Sequence, residues 1–339
     1  MAGGIIHHSH QCPHRERQAT CNVPTTFPTT TNAKPADPFK FSDGRIVTTK
    51  ADFACENQEV SAAFQAWELS VFPPEPFSII ASLSEDSLSI TASEAGKSIT
   101  FAVLIQKHSG SDPFPAIITY RAVSLPIPTQ GQGSHSAGAL TTWAAGVDRI
   151  IDALEITPSA GIDPERVGVI GCSRNGRATF VAAALVKRIA LGLPQAKGKN
   201  FHTASQIFGE NIWHSPRFNA FSTKANIQAI GQHQLAGRVA LRGLLVIENE
   251  IDSFGHVSTT SCMKAGWLIY KALGMPDNMG FTGAGPHNHC SVPATKQADL
   301  TAFIGKFLLN QNTNTVDIEK GPSGADVGTY IDWTTPTLS

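Results

Sequence analysis

Arg166-Val-Gly-Val-Ile-Gly-Cys-Ser-Arg-Asn-Gly-Arg-Ala-Thr-Phe180 is the stretch that decides the fold. Val167, Val169 and Ile170 are β-formers, and the run is apolar on both faces, as a central parallel strand requires. Gly171 lets the backbone turn where a Cβ would clash. Ser173 stands at the apex of that turn, and Asn175 and Gly176 tolerate tight geometry. A helix is predicted from Ala178 to Ile189. Strand, sharp turn and helix in that order make a nucleophile elbow, which presents a serine hydroxyl above a sheet. The usual Gly-x-Ser-x-Gly pattern is bent here to Gly-x-Ser-x-Asn, with a glycine one place later.

Upstream of the elbow, Thr49 to about Leu69 has helical spacing. Residues 78–106 alternate with period two around the turn Glu94-Ala-Gly-Lys97, which predicts an antiparallel ladder. Pro115–Tyr120 is the next strand, and Ser136 to about Leu154 a helix. Asp163, just before the elbow strand, is a turn residue. Downstream, Ala204–Phe208 is a short strand, residues 224–238 a helix and Gly243–Glu248 a strand. Ser258 caps a helix that ends at Gly274. Met279–Phe281 is a final strand, followed by the loop Gly-Ala-Gly-Pro-His-Asn-His-Cys290 and a helix over about 294–309. Strands alternating with helices predict a mostly parallel α/β sheet entered through an antiparallel start.

The chain has 339 residues, 41% of them hydrophobic, enough to bury a full core. Residues 1–20 are expected to be a disordered arm, in which His7, His8, His10 and His14 form a solvated tail. The main domain is expected over 21–312, and 313–339 as a polar, mobile C-terminal tail. A net charge of −1 gives no reason to expect nucleic acid or an anionic membrane as partner. No apolar run is long enough to span a bilayer, and the N-terminus lacks the apolar core of a signal peptide. The cysteines, at 12, 21, 55, 172, 262 and 290, do not show zinc spacing.

A serine at an elbow needs a base, and in this fold the order along the chain is serine, acid, histidine. His289 lies in the loop after the last strand and is the first candidate, with His287 second. The histidine accepts the serine proton, and an acid orients the imidazole and stabilises its charged form. The tetrahedral intermediate needs donors for its oxyanion, each worth roughly 2.7–4 kcal/mol when removed. The backbone N–H after the nucleophile supplies one, and the side chain of Arg174 offers a charged second.

Gly-Cys-Ser-Arg-Asn-Gly, Pro194-Gln195, Thr203-Ala-Ser-Gln-Ile-Phe-Gly-Glu210, Glu248-Asn-Glu-Ile-Asp252, Val-Ser-Thr-Thr-Ser-Cys-Met263 and His287-Asn-His-Cys290 form a further set. Ser134-His-Ser-Ala-Gly-Ala-Leu-Thr-Thr-Trp143 and Thr48-Thr-Lys-Ala-Asp-Phe53 belong with them. Together they resemble the fungal glucuronoyl esterases, carbohydrate esterase family 15, over about residues 21–312. The resemblance implies an α/β-hydrolase three-layer sandwich with a mostly parallel central sheet. It implies a secreted, monomeric serine hydrolase without metal or cofactor. The implied substrate is the ester between 4-O-methyl-glucuronic acid on xylan and lignin alcohols. Ser173 would be the nucleophile, His289 the base and Arg174 the oxyanion partner. Cys172 would pair with Cys290, tying the elbow to the histidine loop, and Cys21 with Cys55. Arg177 stands where the family has a lysine that contacts sugar hydroxyls, and Glu210 matches a sugar-binding glutamate.

The chain departs from the family at named positions. Ala196 stands where the family's catalytic glutamate follows Pro-Gln. His202 replaces a sugar-binding glutamine, and Ser253 a substrate-facing tryptophan. Two stretches are shortened, one between Pro128 and Ser134, the other after Ala196, where the family keeps the counterpart of Cys262. The candidates for a substitute acid lie in the loop after the Val246–Glu248 strand, Asp252 first and Glu250 second, though the reading of both as solvated loop carboxylates is preferred. Three functions follow: a working glucuronoyl esterase, an impaired homologue that binds uronate-bearing saccharide, and a serine esterase of other specificity with an opened site.

Overall fold

The structure is a computed structural model that describes residues 21–27, 34–120, 137–195, 213–221, 231–248, 256–283, 288–321 and 325–339. Its centre is a six-stranded parallel sheet. The strands lie in chain order: β4 (Phe114–Thr119), β5 (Ile162–Cys172), β6 (Leu191–Gln195), β7 (Gly243–Ile247), β8 (Met279–Thr282) and β9 (Glu319–Lys320). Side chains alternate across it, as the period of two demands. Val167 and Val169, Leu244 and Val246, and Met279 and Phe281 enter one core with α2 (Ala139–Glu155), α3 (Arg174–Leu185), α4 (Gln232–Val239) and α5 (His256–Ala272). Leu191 and Leu193, with Leu245 and Ile247, face the other way, onto Phe303 of α6 (Ala294–Phe307) and Leu308. A sheet covered on both faces explains why its strands are apolar throughout rather than alternating.

Two elements precede the sheet. α1 (Lys50–Phe64) opens with a capping box, in which the Thr49 hydroxyl accepts the Asp52 N–H at 3.0 Å and the Asp52 carboxylate accepts the Thr49 N–H at 3.0 Å. It closes in a π-helical turn, Gln65–Leu69. The antiparallel ladder is β1 (Ser78–Ser84), β2 (Ser87–Glu94) and β3 (Lys97–Leu104). It forms a separate three-stranded sheet rather than an entry into the large one, and it packs through Leu88 and Ile90 onto the main core.

Several boundaries differ from the sequence reading. The elbow helix begins at Arg174, directly after the serine, and ends at Leu185. Asn175 and Gly176 are poor helix formers, yet Gly176 packs on β6 and Asn175 donates to the Tyr120 carbonyl, which holds them in the first turn; Val186 and Ile189 prolong the apolar period because both remain buried beyond the helix. β6 contains a glycine and a proline in five residues, which conceals a strand from any propensity argument. Ser258 lies inside α5 rather than capping it. Met279–Phe281 is followed by one more strand, β9, so it is not the last. The strand expected at 204–208, residues 224–230 of the helix expected at 224–238, and the arm 1–20 lie outside the described residues.

Residues 313–339 are not a mobile polar tail where they are described. β9 pairs with β8, and the short α7 (Val327–Tyr330) follows. Trp333 and Leu338 are buried among Phe39, Phe41, Phe53 and Ile269. The Leu338 N–H donates to the Ala272 carbonyl at 3.1 Å, and the Lys50 N–H to the Ser339 carbonyl at 3.0 Å. A few apolar anchors at irregular spacing carry this closure, and no periodicity announces them.

Arg188, between α3 and β6, fastens the nucleophile helix to α2. Its guanidinium donates to Asp148 and Asp152 at 2.6 Å each and to Glu155 at 3.0 Å. Arg149 contacts the same Asp148 and Asp152 at 2.6 Å. The two aspartates are largely shielded, so losing the charge they share leaves a costly pair. Arg188→Met is expected to lower unfolding free energy by about 2–3 kcal/mol in denaturant titration. A loss under about 0.5 kcal/mol would show that the network is only surface decoration.

Candidate active site

The elbow is built by close backbone approach. Ser173 has φ 60° and ψ −125°, a conformation that costs a non-glycine residue on the order of 1–3 kcal/mol and is concentrated at active sites. Two neighbours make it possible. A Cβ on Gly171 would stand 2.4 Å from the Asn175 carbonyl oxygen, and one on Gly176 would stand 2.1 Å from that of Gln195. These contacts explain why the second glycine falls three places after Ser173 rather than two: position 176 passes the end of β6, and position 175 does not. Asn175 is buried and donates to the Tyr120 carbonyl at 3.5 Å. The Ser173 N–H donates to the Gln195 carbonyl at 3.0 Å.

Cys172 and Cys290 are joined by a disulfide with Cα atoms 5.4 Å apart. His289, exposed on the loop after β8, has a ring nitrogen within 4.8 Å of both sulfurs. Those sulfurs are bonded to each other and have no thiolate to give a metal, so the cluster is a tie between two loops. A second tie lies beside it. The buried Gln195 side chain donates to the Ser291 carbonyl at 2.6 Å. The histidine loop is thus held at Cys290 and again at Ser291, each time by a neighbour of Ser173. The other disulfide, Cys21–Cys55, fixes the N-terminal coil to α1.

Two arginines occupy the first turn of the nucleophile helix. Arg174 is exposed, and its guanidinium carbon lies 5.0 Å from the centre of the Trp213 ring. Arg177 is half-buried; desolvation lowers its pKa, and the carboxylates of Glu68 and Glu248 oppose that shift. Glu248 is 2% exposed at the carboxyl end of β7, where its backbone carbonyl accepts the Lys296 ammonium at 2.6 Å. Glu68 is 3% exposed in the π-helical turn. Its Oε1 lies 3.3 Å from Nδ1 of the buried His214 and accepts the Gln232 amide at 3.3 Å. Burial lowers the His214 pKa, against the opposing pull of Glu68.

The structure therefore brings Ser173, Arg174, Arg177, Cys172, His289 and Cys290 to one end of the sheet. Asp252, Glu250, His202, Glu210, Ser253, His287 and position 196 lie outside the described residues. Asp163, expected in a turn just before the elbow strand, lies inside β5 at its opposite end, where it accepts from Arg166 Nε at 2.6 Å and from the Glu165 N–H at 2.9 Å. Glu68, Trp213, His214 and Glu248 were not singled out as site residues from sequence. Only Glu248, next to the loop searched for an acid, carried a signal that could have found it.

Comparison with known proteins agrees with this geometry. The family model described as "Glucuronyl esterase, fungi" matches residues 130–200 and 194–274. A 4-O-methyl-glucuronoyl methylesterase of Neurospora crassa is 41% identical over 371 residues, covering 96% of this chain and 94% of the relative. That of Hypocrea jecorina is 42% identical over 368 residues, covering 95% and 80%. The solved glucuronoyl esterase catalytic domain from Hypocrea jecorina superimposes with a TM-score of 0.87 at 41% identity, covering 94% of this chain and all of that one, 100%. A serine-to-alanine mutant from Sporotrichum thermophile, in complex with methyl 4-O-methyl-beta-D-glucopyranuronate, superimposes with a TM-score of 0.89 at 40% identity, covering 95% and 100%.

If the disulfide holds His289 in register with Ser173, its loss should appear in turnover. The double variant Cys172→Ala, Cys290→Ala is expected to lose on the order of 10²-fold in kcat, with KM changed little, because small misplacement of catalytic partners costs that much. It should also lose about 2–5 kcal/mol of stability. Wild-type kcat in the folded variant would show that the tie serves stability alone.

Proposed function

We infer the function of this chain from its membership: it belongs to the fungal glucuronoyl esterase family. It is a serine carboxylic ester hydrolase with the α/β-hydrolase fold. We propose that it cleaves the ester between 4-O-methyl-glucuronic acid of xylan and a lignin alcohol through a Ser173 acyl-enzyme. The observation that carries this reading is the strained Ser173 elbow, tied covalently to the loop of His289.

Ser173 Oγ attacks the ester carbonyl carbon while His289 takes its proton. The oxyanion so formed is met by the Arg174 N–H, at the positive end of α3, and by the Arg174 guanidinium. Collapse breaks the carbon–oxygen bond to the alcohol, which leaves with the proton from His289. Water then attacks the acyl-enzyme with His289 as base, and uronic acid departs. Arg177, Glu210, His202 and Ser253 form the sugar-facing set, with Arg177 offering a fork of donors where the family has a point charge.

The triad acid comes from the carboxyl end of β7, with Asp252 first and Glu250 second. Glu248 is a third carboxylate at that end, fixed where its strand stops. Retention of the elbow, the base and the disulfide favours a working enzyme over the impaired homologue. The disulfides suit an oxidising compartment and a secreted enzyme. Among the described residues no helix is long and apolar enough to cross a membrane. It acts as a monomer in this reading.

Hydrolysis of a benzyl ester of 4-O-methyl-glucuronic acid tests the reading. Ser173→Ala is expected to reduce kcat by about 10⁴-fold or more. Purified folded protein no faster than that variant would sink it. Faster turnover of methyl galacturonate or p-nitrophenyl acetate would instead favour an esterase of other specificity. Asp252→Asn is expected to cost up to about 10⁴-fold in kcat, as loss of a triad acid does. Asp252→Asn, Glu250→Gln and Glu248→Gln all leaving kcat intact would remove the β7 carboxylates from the mechanism.

A further inference from the structure

We propose that Trp213 is the positioning residue for the Arg174 guanidinium, and that the buried contact between Glu68 and His214 holds Trp213 where it must be. The proposal rests on the assignment of Arg174 to the oxyanion and goes beyond it by naming what fixes that side chain.

An exposed arginine on a long flexible stem is a poor oxyanion donor unless something limits its rotamers, because stabilisation of a transition state requires donors that are already in place. The face of Trp213, 5.0 Å from the guanidinium carbon, supplies that limit. Trp213 cannot easily yield. It is 7% exposed and packs on Trp143 with ring centres 5.3 Å apart. Its carbonyl accepts the Leu140 N–H at 3.1 Å. A Cβ on Gly138 would stand 2.4 Å from the backbone carbon of His214, so α2 meets this segment backbone to backbone.

The next residue carries the anchor. His214 Nδ1 lies 3.3 Å from Glu68 Oε1, and the Ser215 N–H donates to the Glu68 carbonyl at 2.7 Å. Gln232 donates to the same carboxylate oxygen at 3.3 Å. Glu68 stands in a π-helical turn, and Ser70 just after it has φ 68°. Such turns are costly and recur near functional sites. A hydrophobic residue would fill the space of a buried glutamate at lower desolvation cost, so fixing one conformation is the role that suits it. The line of contacts runs from Glu68 through His214 and Trp213 to Arg174.

A double-mutant cycle on kcat tests this with the benzyl ester. Trp213→Leu is expected to lower kcat about 5–30-fold with KM within about twofold, while Trp213→Phe keeps most of the rate because a π-face remains. In an Arg174→Ala background, Trp213→Leu should cause no further loss of kcat. Glu68→Gln should show a smaller loss with the same dependence on Arg174. An equal loss in both backgrounds, or equal losses for Leu and Phe, would overturn the proposal. Where Trp213→Leu fails to fold, Glu68→Gln carries the cycle, and additivity with Arg174→Ala again overturns it. Arg174→Ala with wild-type kcat is a separate result: it removes the oxyanion assignment itself.

Discussion

The end of β6 is the constraint on which the site depends, and Gln195 is where it acts. Its carbonyl accepts the Ser173 N–H at 3.0 Å, and its side chain donates to the Ser291 carbonyl at 2.6 Å. Gly176 passes so near that any Cβ would overlap the same carbonyl. One residue thus sets the nucleophile turn, the entry of its helix and the loop that carries His289. The disulfide from Cys172 to Cys290 repeats the tie with a covalent bond one strand away, since Cys172 and Gln195 are register partners. Strain at Ser173 persists because these contacts leave the chain no other path.

This arrangement bears on the triad acid. Position 196, where the family places its glutamate, is alanine here. The strand end that would have carried that carboxylate still anchors the histidine loop, through Gln195. Positioning of His289 and stabilisation of its charge are therefore separable in this chain. The first stays with β6 and the disulfide, and the proposed mechanism passes the second to β7. A carboxylate needs only to reach the imidazole N–H, so the neighbouring strand is a short step for the chemistry. The parallel sheet places the ends of β6 and β7 side by side, Gln195 opposite Ile247.

Much of this was legible in the residues. β5 announced itself by β-branched residues on both faces, and the turn by glycines that exist because no Cβ fits. Helix α1 was visible through its helical spacing, and the ladder through period two. β6 was hidden because Leu-Gly-Leu-Pro-Gln lacks both propensity and length. The C-terminal closure was hidden because Ile318, Trp333 and Leu338 act as isolated anchors, and a single buried side chain has no pattern. Glu68 and His214 are far apart in the chain and meet where the π-helical turn packs on the segment that follows His214. A contact of that kind leaves no trace in local sequence.

The two arginines of α3 show how position on one helical turn divides labour. Arg174 lies at the exposed edge, where its charge is strongly hydrated unless a ring face holds it. Arg177, three residues further along the same turn, lies in the field of two buried carboxylates, Glu68 and Glu248. A cation so compensated changes little in net field when a neutral uronate ester arrives, which suits its proposed role as a donor to hydroxyl groups. Arg174, in the proposed mechanism, faces the charge that develops during the reaction. Its selectivity for the transition state over the ground state follows from that difference, because the substrate carries no charge at the carbonyl until Ser173 attacks. Glu68 serves both ends of this division: its carboxylate compensates Arg177, and its contact with His214 fixes the segment beneath Arg174.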